Sequence, residues 1–170
     1  MRVSPCLTAI ALAGVLSARA SAQSTKSKLS PNAPPDRQMF ATAQCQWREM
    51  VKASEPYVVR ARAAYPDAKR RFQSPEAHAR PFFVTTRLAD SASRHEQVFV
   101  SVDSIAGSRV YGTLASQIGL VSGYRTGQPF SMDESELVDW MFANADGSEE
   151  GNFVGKFIET YKSPGTCRDG

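Results

Sequence analysis

The sequence predicts an α+β fold: N-terminal helices, then a bent antiparallel sheet of about five strands, closed by a C-terminal helix. Three observations predict it. Apolar residues recur at helical spacing before residue 65, and short segments between residues 82 and 142 alternate with a period of two. Val154, Phe157, Ile158 and Tyr161 then repeat at i, i+3, i+4 and i+7. Because glycine-rich connections and short strands let a sheet curve, we expect a small-barrel-like shape.

Two helix starts precede the predicted sheet. Asp36 can cap a helix that begins near Arg37. Apolar residues then follow on one face: Met39, Phe40, Ala43, Trp47, Met50 and Val51. Ser54-Glu55-Pro56 is typical of a second N-terminus, with a capping serine and a proline in the first turn. Pro66 is expected to interrupt that helix, and residues 67–72 to add another turn or two.

Five basic side chains fall in this helical region: Arg60, Arg62, Lys69, Arg70 and Arg71. A basic patch can bind phosphate or an acidic polymer. No aromatic residues interleave closely with it, so we interpret the patch as a solvated helix face and expect no nucleic-acid partner.

Five segments carry the strand pattern: 82–88, 96–105, 110–114, 128–132 and 137–142. Short turns separate the first three, which predicts an antiparallel meander. Gly119–Gly127 holds three glycines without phosphate-loop spacing and is expected to be a bent connection. In the fifth segment, alternation directs Trp140 and Phe142 to one face and Asp139 to the other. Asn144-Ala145-Asp146-Gly147 is typical of a hairpin turn.

The first 22 residues have the pattern of a signal peptide. The apolar run Cys6–Leu16 precedes an A-x-A cleavage site at Ala20-Ser21-Ala22. The run is too short for a membrane anchor, although a buried first helix is the alternative. We therefore expect cleavage near Ala22 and a periplasmic or secreted protein with no membrane span. Residues 23–35, rich in Ser, Lys and Pro, predict a disordered leader, and residues 36–170 a single domain.

Cleavage would also change the charge and the cysteine count. It would remove Arg2 and Arg19 from the 20 basic residues, which leaves 18 against 17 acidic ones. A nearly neutral chain gives no reason to expect nucleic acid or a membrane surface as partner. Cys6 would leave with the signal peptide. Cys45 and Cys167 then form an even pair, which favours a disulfide in an oxidising compartment over two unpaired thiols.

The chain contains five segments that together match a known pattern: FFVTTRL, EQVFVSVDSI, GYRTGQPFSM, ELVDWMF and NADGSEEGNFVGKF. In these it resembles the DUF2314 (YegJ-like) family of small bacterial domains. The resemblance extends from about Tyr65 to Tyr161. Its most specific parts are Val138-Asp139-Trp140-Met141, and Glu150-Gly151-Asn152 followed by Val154-Gly155-Lys156. It implies a compact α+β domain, with no agreed catalytic residues.

Several acidic residues are candidates for chemistry. Asp139 lies in an otherwise apolar strand, so it is either an acid–base group with a shifted pKa or a hydrogen-bond anchor for nearby backbone. Glu149 and Glu150 could pair with Asp146 as catalytic carboxylates, but three acids in one turn are more often solvated. We favour the structural interpretation for all four.

Asn152 and Lys156 are the candidates for contact with a small ligand. If Asn152 caps the last helix, free backbone N–H groups there could hold an anion, and Lys156 would add positive charge. No metal or cofactor is expected. A calcium loop around Asp146 would need ligands where Phe142 and Phe153 stand. His78 and His95 have no cysteine or histidine nearby in sequence to complete a zinc site.

Three functions are compatible with these features. The first is a non-catalytic, monomeric binding or interaction module that contacts envelope proteins or cell-wall material through Tyr111, Tyr124 and Arg125 beside the sheet edge. The second is a hydrolase of a wall polymer or peptide that uses Asp139 with Glu149 or Glu150. The third is a structural envelope protein. We rank them in that order.

Overall fold

A computed structural model describes residues 39–40, 44–75 and 80–163. The elements follow in the order β1 (Met39–Phe40), α1 (Gln44–Phe72), β2 (Phe82–Ala89), β3 (His95–Ala106), β4 (Arg109–Leu114), β5 (Pro129–Asp133), a 3-10 turn (Glu134–Glu136), β6 (Asp139–Ala143), β7 (Glu149–Gly151) and α2 (Phe153–Thr160). The predicted signal peptide, leader and Cys167 lie outside these residues, so the disulfide with Cys45 stays a prediction. In the described part of the chain, no helix combines the length and apolarity needed to cross a membrane.

The strands form one antiparallel sheet in the order β5-β4-β3-β2-β6-β7, and β1 pairs with β3 beyond the end of β4. The five predicted strands are present near their predicted positions, and β1 and β7 add to them. The expected small-barrel shape is wrong, because the sheet is open with β5 and β7 at its edges. A long helix lies against one face of the sheet, so the apolar face is covered without closure.

Helix α1 differs from its prediction at its start and in its interior, where the second helix start predicted at Ser54-Glu55-Pro56 is wrong because one helix runs through it. Residues 39–40 form a strand where a helix was predicted, and Asp36 and Arg37 lie outside the described residues. The expected interruption at Pro66 is also wrong, since α1 continues through Pro56 and Pro66. Both prolines are exposed, and buried side chains on either side pack into the core. Packing therefore outweighs the one missing hydrogen bond at each proline.

The main core lies between α1 and the sheet. Ala61, Tyr65 and Ala68 pack against the inward side chains of the strands: Phe82, Val84, Leu88, Val98, Val100, Val110, Leu114, Met132, Trp140 and Phe142. The indole Nε1–H of Trp140 donates to the carbonyl of Ala61 at 3.0 Å. Trp140 and Phe142 thus face the core as predicted. The smaller helix α2 joins through contacts among Val58, Val138 and Val154.

The solvated-face interpretation of the basic residues holds for Arg60, Arg62 and Arg70, which are exposed, and is wrong for Lys69 and Arg71, which are partly buried. Arg62 and Lys69 also anchor the helix to the rest of the chain. Arg62 donates to the carbonyls of Leu137 at 2.8 Å and Ser135 at 3.0 Å. Lys69 pairs with Glu134 at 2.7 Å. Turns between strands bring these acceptors to the helix, which a pattern local to the helix does not show.

Arg62→Met is expected to lower the free energy of unfolding by about 1–2 kcal/mol, because two backbone carbonyls lose a charged donor. Arg70→Met is the matched control. Arg70 pairs only with Asp67 of the same helix, and both side chains are mostly exposed, so its loss should change stability by less than about 0.5 kcal/mol. Urea unfolding of both variants measures the difference, and equal effects would contradict the anchoring role of Arg62.

Two carboxylates hold the glycine-containing connection between β4 and β5. Glu96, fully buried on β3, accepts from the backbone N–H groups of Gly119, Leu120 and Val121 at 3.0–3.3 Å. Asp90 accepts from the N–H of Ser122 at 2.9 Å, and this bond, after the one from Arg94, holds the pKa of Asp90 well below its ordinary value. The predicted bent connection is confirmed, with positive φ at two of its glycines. The structure adds the two side chains that fix the bend.

Candidate functional site

A cleft of about 550 Å³ lies between α1, β7 and the start of α2. Helix α1 contributes a stripe spaced i, i+4, i+7 and i+11: Arg60, Ala64, Asp67 and Arg71. The sheet and α2 contribute the other side: Trp140, Glu149, Glu150, Gly151, Phe153 and Lys156. The cleft therefore combines aromatic rings with charges of both signs.

The close contact between β7 and Trp140 requires glycine at position 151. The φ of Gly151 is +81°, and a Cβ there would lie 2.3 Å from the carbonyl oxygen of Trp140 and 2.8 Å from its ring. Any side chain would push β7 away from the indole. Gly151 thus allows β7 to lie directly against Trp140.

One end of the cleft is closed by internal ion pairs. Arg71 pairs with Glu150 at 2.7 Å and with Asp67 at 3.2 Å. The Cζ of Arg71 also lies 5.1 Å from the centroid of the Phe142 ring, and Arg80 approaches Glu150 at 3.3 Å from the opposite side. These charges neutralise one another, so this end fixes β7 to α1.

At the other end of the cleft lie Arg60 and Lys156, which form no ion pair within the described residues. The Cζ of Arg60 lies 4.6 Å from the centroid of the Phe153 ring, and within the described residues Arg60 forms no ion pair. Lys156 donates to the backbone carbonyls of Gly151 at 2.8 Å and Glu149 at 3.3 Å. The carboxylate of Glu149 accepts from the side-chain amide of Asn152 at 2.6 Å. Arg60 and Lys156 therefore retain positive charge towards the cleft.

Lys156 also bonds backbone carbonyls at the β7 edge of the sheet. Asn152 donates to the carbonyl of Trp140, and Asn144 to that of Ser148. Because hydrogen-bonded pairs alternate along an antiparallel ladder, the backbone groups of Glu149 and Gly151 point away from β6. Their two outward carbonyls are those that Lys156 occupies. This edge is thus closed to a further strand by a lysine of the same chain.

Asp139 caps α2 from a neighbouring strand. Only 1% exposed, it accepts from the N–H of Val154 at 2.6 Å through Oδ2 and from the N–H of Trp140 at 2.8 Å through Oδ1. Burial raises its pKa to about 7, against the opposing effect of the bonds from Val154, Trp140 and Gly155 and of the charge on Lys156. This is the hydrogen-bond anchor that the sequence offered as one of two roles.

Asn152 does not cap the helix with its side chain, so that prediction is wrong. Its backbone is left-handed, with φ of 52°, and its side chain makes no capping bond. A left-handed residue turns the chain sharply between β7 and α2, and its side-chain amide donates to Glu149 and does not cap the helix. The Asp139 carboxylate takes that place, so the helix N-terminus already holds an anion from within the chain.

The structure divides the sequence-predicted residues among four places. Glu149, Glu150 and Lys156 line the cleft, whereas Asp139 and Asn152 are buried and do not line it. Asp146 bonds Ser148 within the predicted hairpin turn, which is confirmed. The remaining three lie at the opposite side of the sheet, on or beside β4 and β5: Tyr111, Tyr124 and Arg125. The structure therefore does not bring Asp139 together with the glutamates at an exposed site.

Seven of the ten residues that line the cleft were not predicted as site residues, among them Arg60, Arg71, Trp140 and Phe153. The spacing of Arg60 and Arg71 places them on one stripe of α1, which could have been read from the sequence. The contact between this stripe and the rings of Trp140 and Phe153 depends on how α1 packs against the sheet. Local spacing in the sequence does not determine that packing. In the described residues, no group of three or more His, Cys, Asp and Glu could hold a metal ion.

A family model described as "Uncharacterized protein conserved in bacteria (DUF2314)" matches residues 43–162. No curated protein matches the chain, and no solved structure matches it.

Proposed function

This chain belongs to the DUF2314 family of bacterial proteins, and we propose that it is a non-catalytic binding module whose ligand occupies the cleft between α1, β7 and α2. The observation that carries this proposal is the pair of cations Arg60 and Lys156, which line a cavity of about 550 Å³ without a carboxylate partner among the described residues. A small ligand with an acidic group fits this arrangement, because the group could form a charged hydrogen bond with Arg60, which has no ion pair within the described residues.

The aromatic residues support the same ligand class. Phe153 and Trp140 meet edge to face, with ring centroids 5.9 Å apart, and Arg60 covers the Phe153 ring. The planar guanidinium is thus held in place by the ring, with its N–H edges left for a carboxylate or phosphate. A preorganised donor binds an anion with a smaller loss of side-chain entropy than a mobile lysine does.

The position of Asp139 favours binding over hydrolysis. A general acid or base must come within hydrogen-bond reach of the reacting group. Asp139 is buried, and each of its oxygens already accepts a backbone N–H. Glu150 is engaged by two arginines. The carboxylates of the hydrolase hypothesis therefore have structural partners.

We also propose that the protein acts in the periplasm or outside the cell. The signal-peptide pattern of residues 1–22 supports export to the periplasm or beyond. An exported monomer with this cleft would meet acidic small molecules or wall fragments of the envelope.

The cleft proposal is tested by titrating benzoate into the ¹⁵N-labelled full chain. We expect binding in the millimolar range, with amide shifts centred on Gly151, Phe153 and Lys156, and about tenfold weaker binding to Arg60→Gln. Neutral benzamide should bind more weakly than benzoate, because it lacks the charge that Arg60 pairs with.

Arg48→Gln is the matched control. Arg48 lies exposed on the same helix and outside the cleft, so its replacement removes one positive charge without touching the site. Benzoate should bind this variant within about twofold of the unmodified chain. Shifts centred away from the cleft, or equal loss of binding in both variants, would refute the proposed site.

A further inference from the structure

The sheet has a second edge, at β5, whose backbone groups point away from the sheet. Leu114 donates to the carbonyl of Gln128, and Glu134 donates to the carbonyl of Ser108. These bonds flank β5 and set the alternation of the ladder, in which Gly112 pairs with Phe130 and Val110 with Met132 through hydrogen bonds. The backbone N–H and carbonyl of Ser131 must therefore face outward.

The outward groups at this edge are not equally available. The N–H of Asp133 donates to the carboxylate of Glu136 at 2.9 Å, and Pro129 has no N–H. No hydrogen bond within the described residues reaches the backbone N–H or carbonyl of Ser131. The edge thus leaves the two groups of Ser131 and the carbonyl of Pro129 open, whereas Lys156 bonds the two outward carbonyls at the β7 edge.

A pocket of about 380 Å³ lies next to these open groups. It is lined by Asp103, Tyr111, Gly112, Pro129, Phe130 and Ser131. Tyr111 is 42% exposed and stands opposite Ser131 in the register. Asp103 is the extra residue of a β-bulge in β3, and bulges re-aim side chains. Within the described residues, the exposed carboxylate of Asp103 has neither an ion pair nor a hydrogen bond.

We propose that the β5 edge binds an extended peptide segment of a partner protein, with a lysine or arginine of that segment over Tyr111 and paired with Asp103. A strand laid beside β5 would bond with Ser131 and Pro129 and direct alternate side chains into the pocket. A basic side chain there would contact the ring face of Tyr111 and neutralise Asp103.

The charge of the pocket favours a partner peptide over a second copy of this chain. Pairing of β5 with β5 of another copy would bring the sequence PFSMD to the edge, which contains no basic residue to meet Asp103. This site is separate from the cleft at the opposite edge, so its test does not depend on the function proposed above.

Replacement of Ser131 separates backbone from side-chain effects. Ser131→Pro removes the outward N–H, and proline is tolerated at edge positions whose N–H faces away from the ladder. Ser131→Ala is the matched control, because it keeps the N–H and, like proline, removes the hydroxyl that accepts from Arg109 at 3.2 Å. Asp103→Asn removes only the charge in the pocket.

The experiment selects a phage-displayed random dodecapeptide library on the immobilised full chain and measures synthetic copies of the enriched peptides by calorimetry. We expect a recurring Lys or Arg, binding about tenfold weaker to Ser131→Pro and to Asp103→Asn, and binding within about twofold for Ser131→Ala. Amide shifts should centre on Tyr111 and Ser131.

Three results would overturn the proposal. The first is a selection that enriches no peptide. The second is enriched peptides that bind Ser131→Pro as tightly as the unmodified chain, provided that the thermal midpoints of the two agree. The third is a dimer that Ser131→Pro abolishes, which would assign the edge to a second copy of this chain. If Ser131→Pro does not fold, Asp103→Lys is the test. Reversing this charge should abolish binding of the enriched peptides, and unchanged binding would overturn the proposal.

Discussion

Asp139→Ala is expected to lower the free energy of unfolding by about 3–4 kcal/mol at pH 7, the largest stability loss among the single substitutions considered. The carboxylate accepts the N–H groups of Val154 and Trp140 in a buried site, and its pKa also reflects the N–H of Gly155. Alanine leaves these donors without a partner, and each unsatisfied buried donor costs about 1–3 kcal/mol. Urea unfolding followed by circular dichroism measures the loss.

The pH dependence of stability tests the burial of this carboxyl group. The pKa of Asp139 is raised by burial from 3.8 to about 7 in the folded protein. Between these values the folded state binds more protons than the unfolded one, so this group's contribution to stability falls as the pH rises and is constant above about pH 8. Asp139→Asn has no titrating group there. Its penalty relative to the unmodified chain should therefore be larger at pH 5 than at pH 8.

Asp103→Ala controls for the general loss of a carboxylate from the sheet. Asp103 is exposed and makes no hydrogen bond within the described residues, so its replacement should change the stability by less than about 0.5 kcal/mol. If Asp139→Ala were no more destabilising than this control, the capping role would be wrong. If Asp139→Asn lost stability equally at both pH values, burial would not raise the pKa of Asp139 in the folded protein.

Glu96→Ala is expected to cost about 3 kcal/mol and to release the connection between β4 and β5. Glu96 is fully buried, and its carboxylate gathers the N–H groups of Gly119, Leu120 and Val121. Without it, three backbone donors at a bend must find water or remain unpaired. In Glu96→Ala, amide hydrogen exchange at Gly119, Leu120 and Val121 should be faster than in the unmodified chain, whereas exchange at the centres of β2 and β3 should change less.

Glu159→Ala is the control for Glu96, because Glu159 is an exposed acid near the end of α2. We expect Glu159→Ala to change the free energy of unfolding and the amide hydrogen exchange very little. Unchanged protection of Gly119, Leu120 and Val121 in Glu96→Ala would show that other contacts hold the bend.

Local patterns were sufficient for most elements. Strands β2 to β6 and helix α2 carry apolar residues at the period of their own geometry, so each could be located without knowledge of the rest of the chain. The hairpin at Asp146-Gly147 likewise follows from turn chemistry. Pro66 failed as a helix breaker because Tyr65 and Ala68 are buried on either side of it. Such packing is not visible in a local pattern.

The candidate site was harder to predict for the same reason. Asp139 meets the N–H of Val154 fifteen residues away, and this contact exists only because Asn152 turns the chain with a left-handed backbone. Arg60 was interpreted as solvated because its ring partner, Phe153, lies far along the sequence. The sequence identified Glu149, Glu150 and Lys156 as candidates, but the opposite wall of the cleft comes from α1.

The most direct measurement of the central proposal is a crystallographic fragment screen on the full chain with a set of small carboxylic acids and their neutral amides. We expect the acids to occupy the cleft between α1 and α2, with the carboxylate on the guanidinium of Arg60 and near the ammonium of Lys156, and the amides to be absent there. Acids that bind elsewhere while the cleft stays empty in every data set would contradict a ligand site at this position.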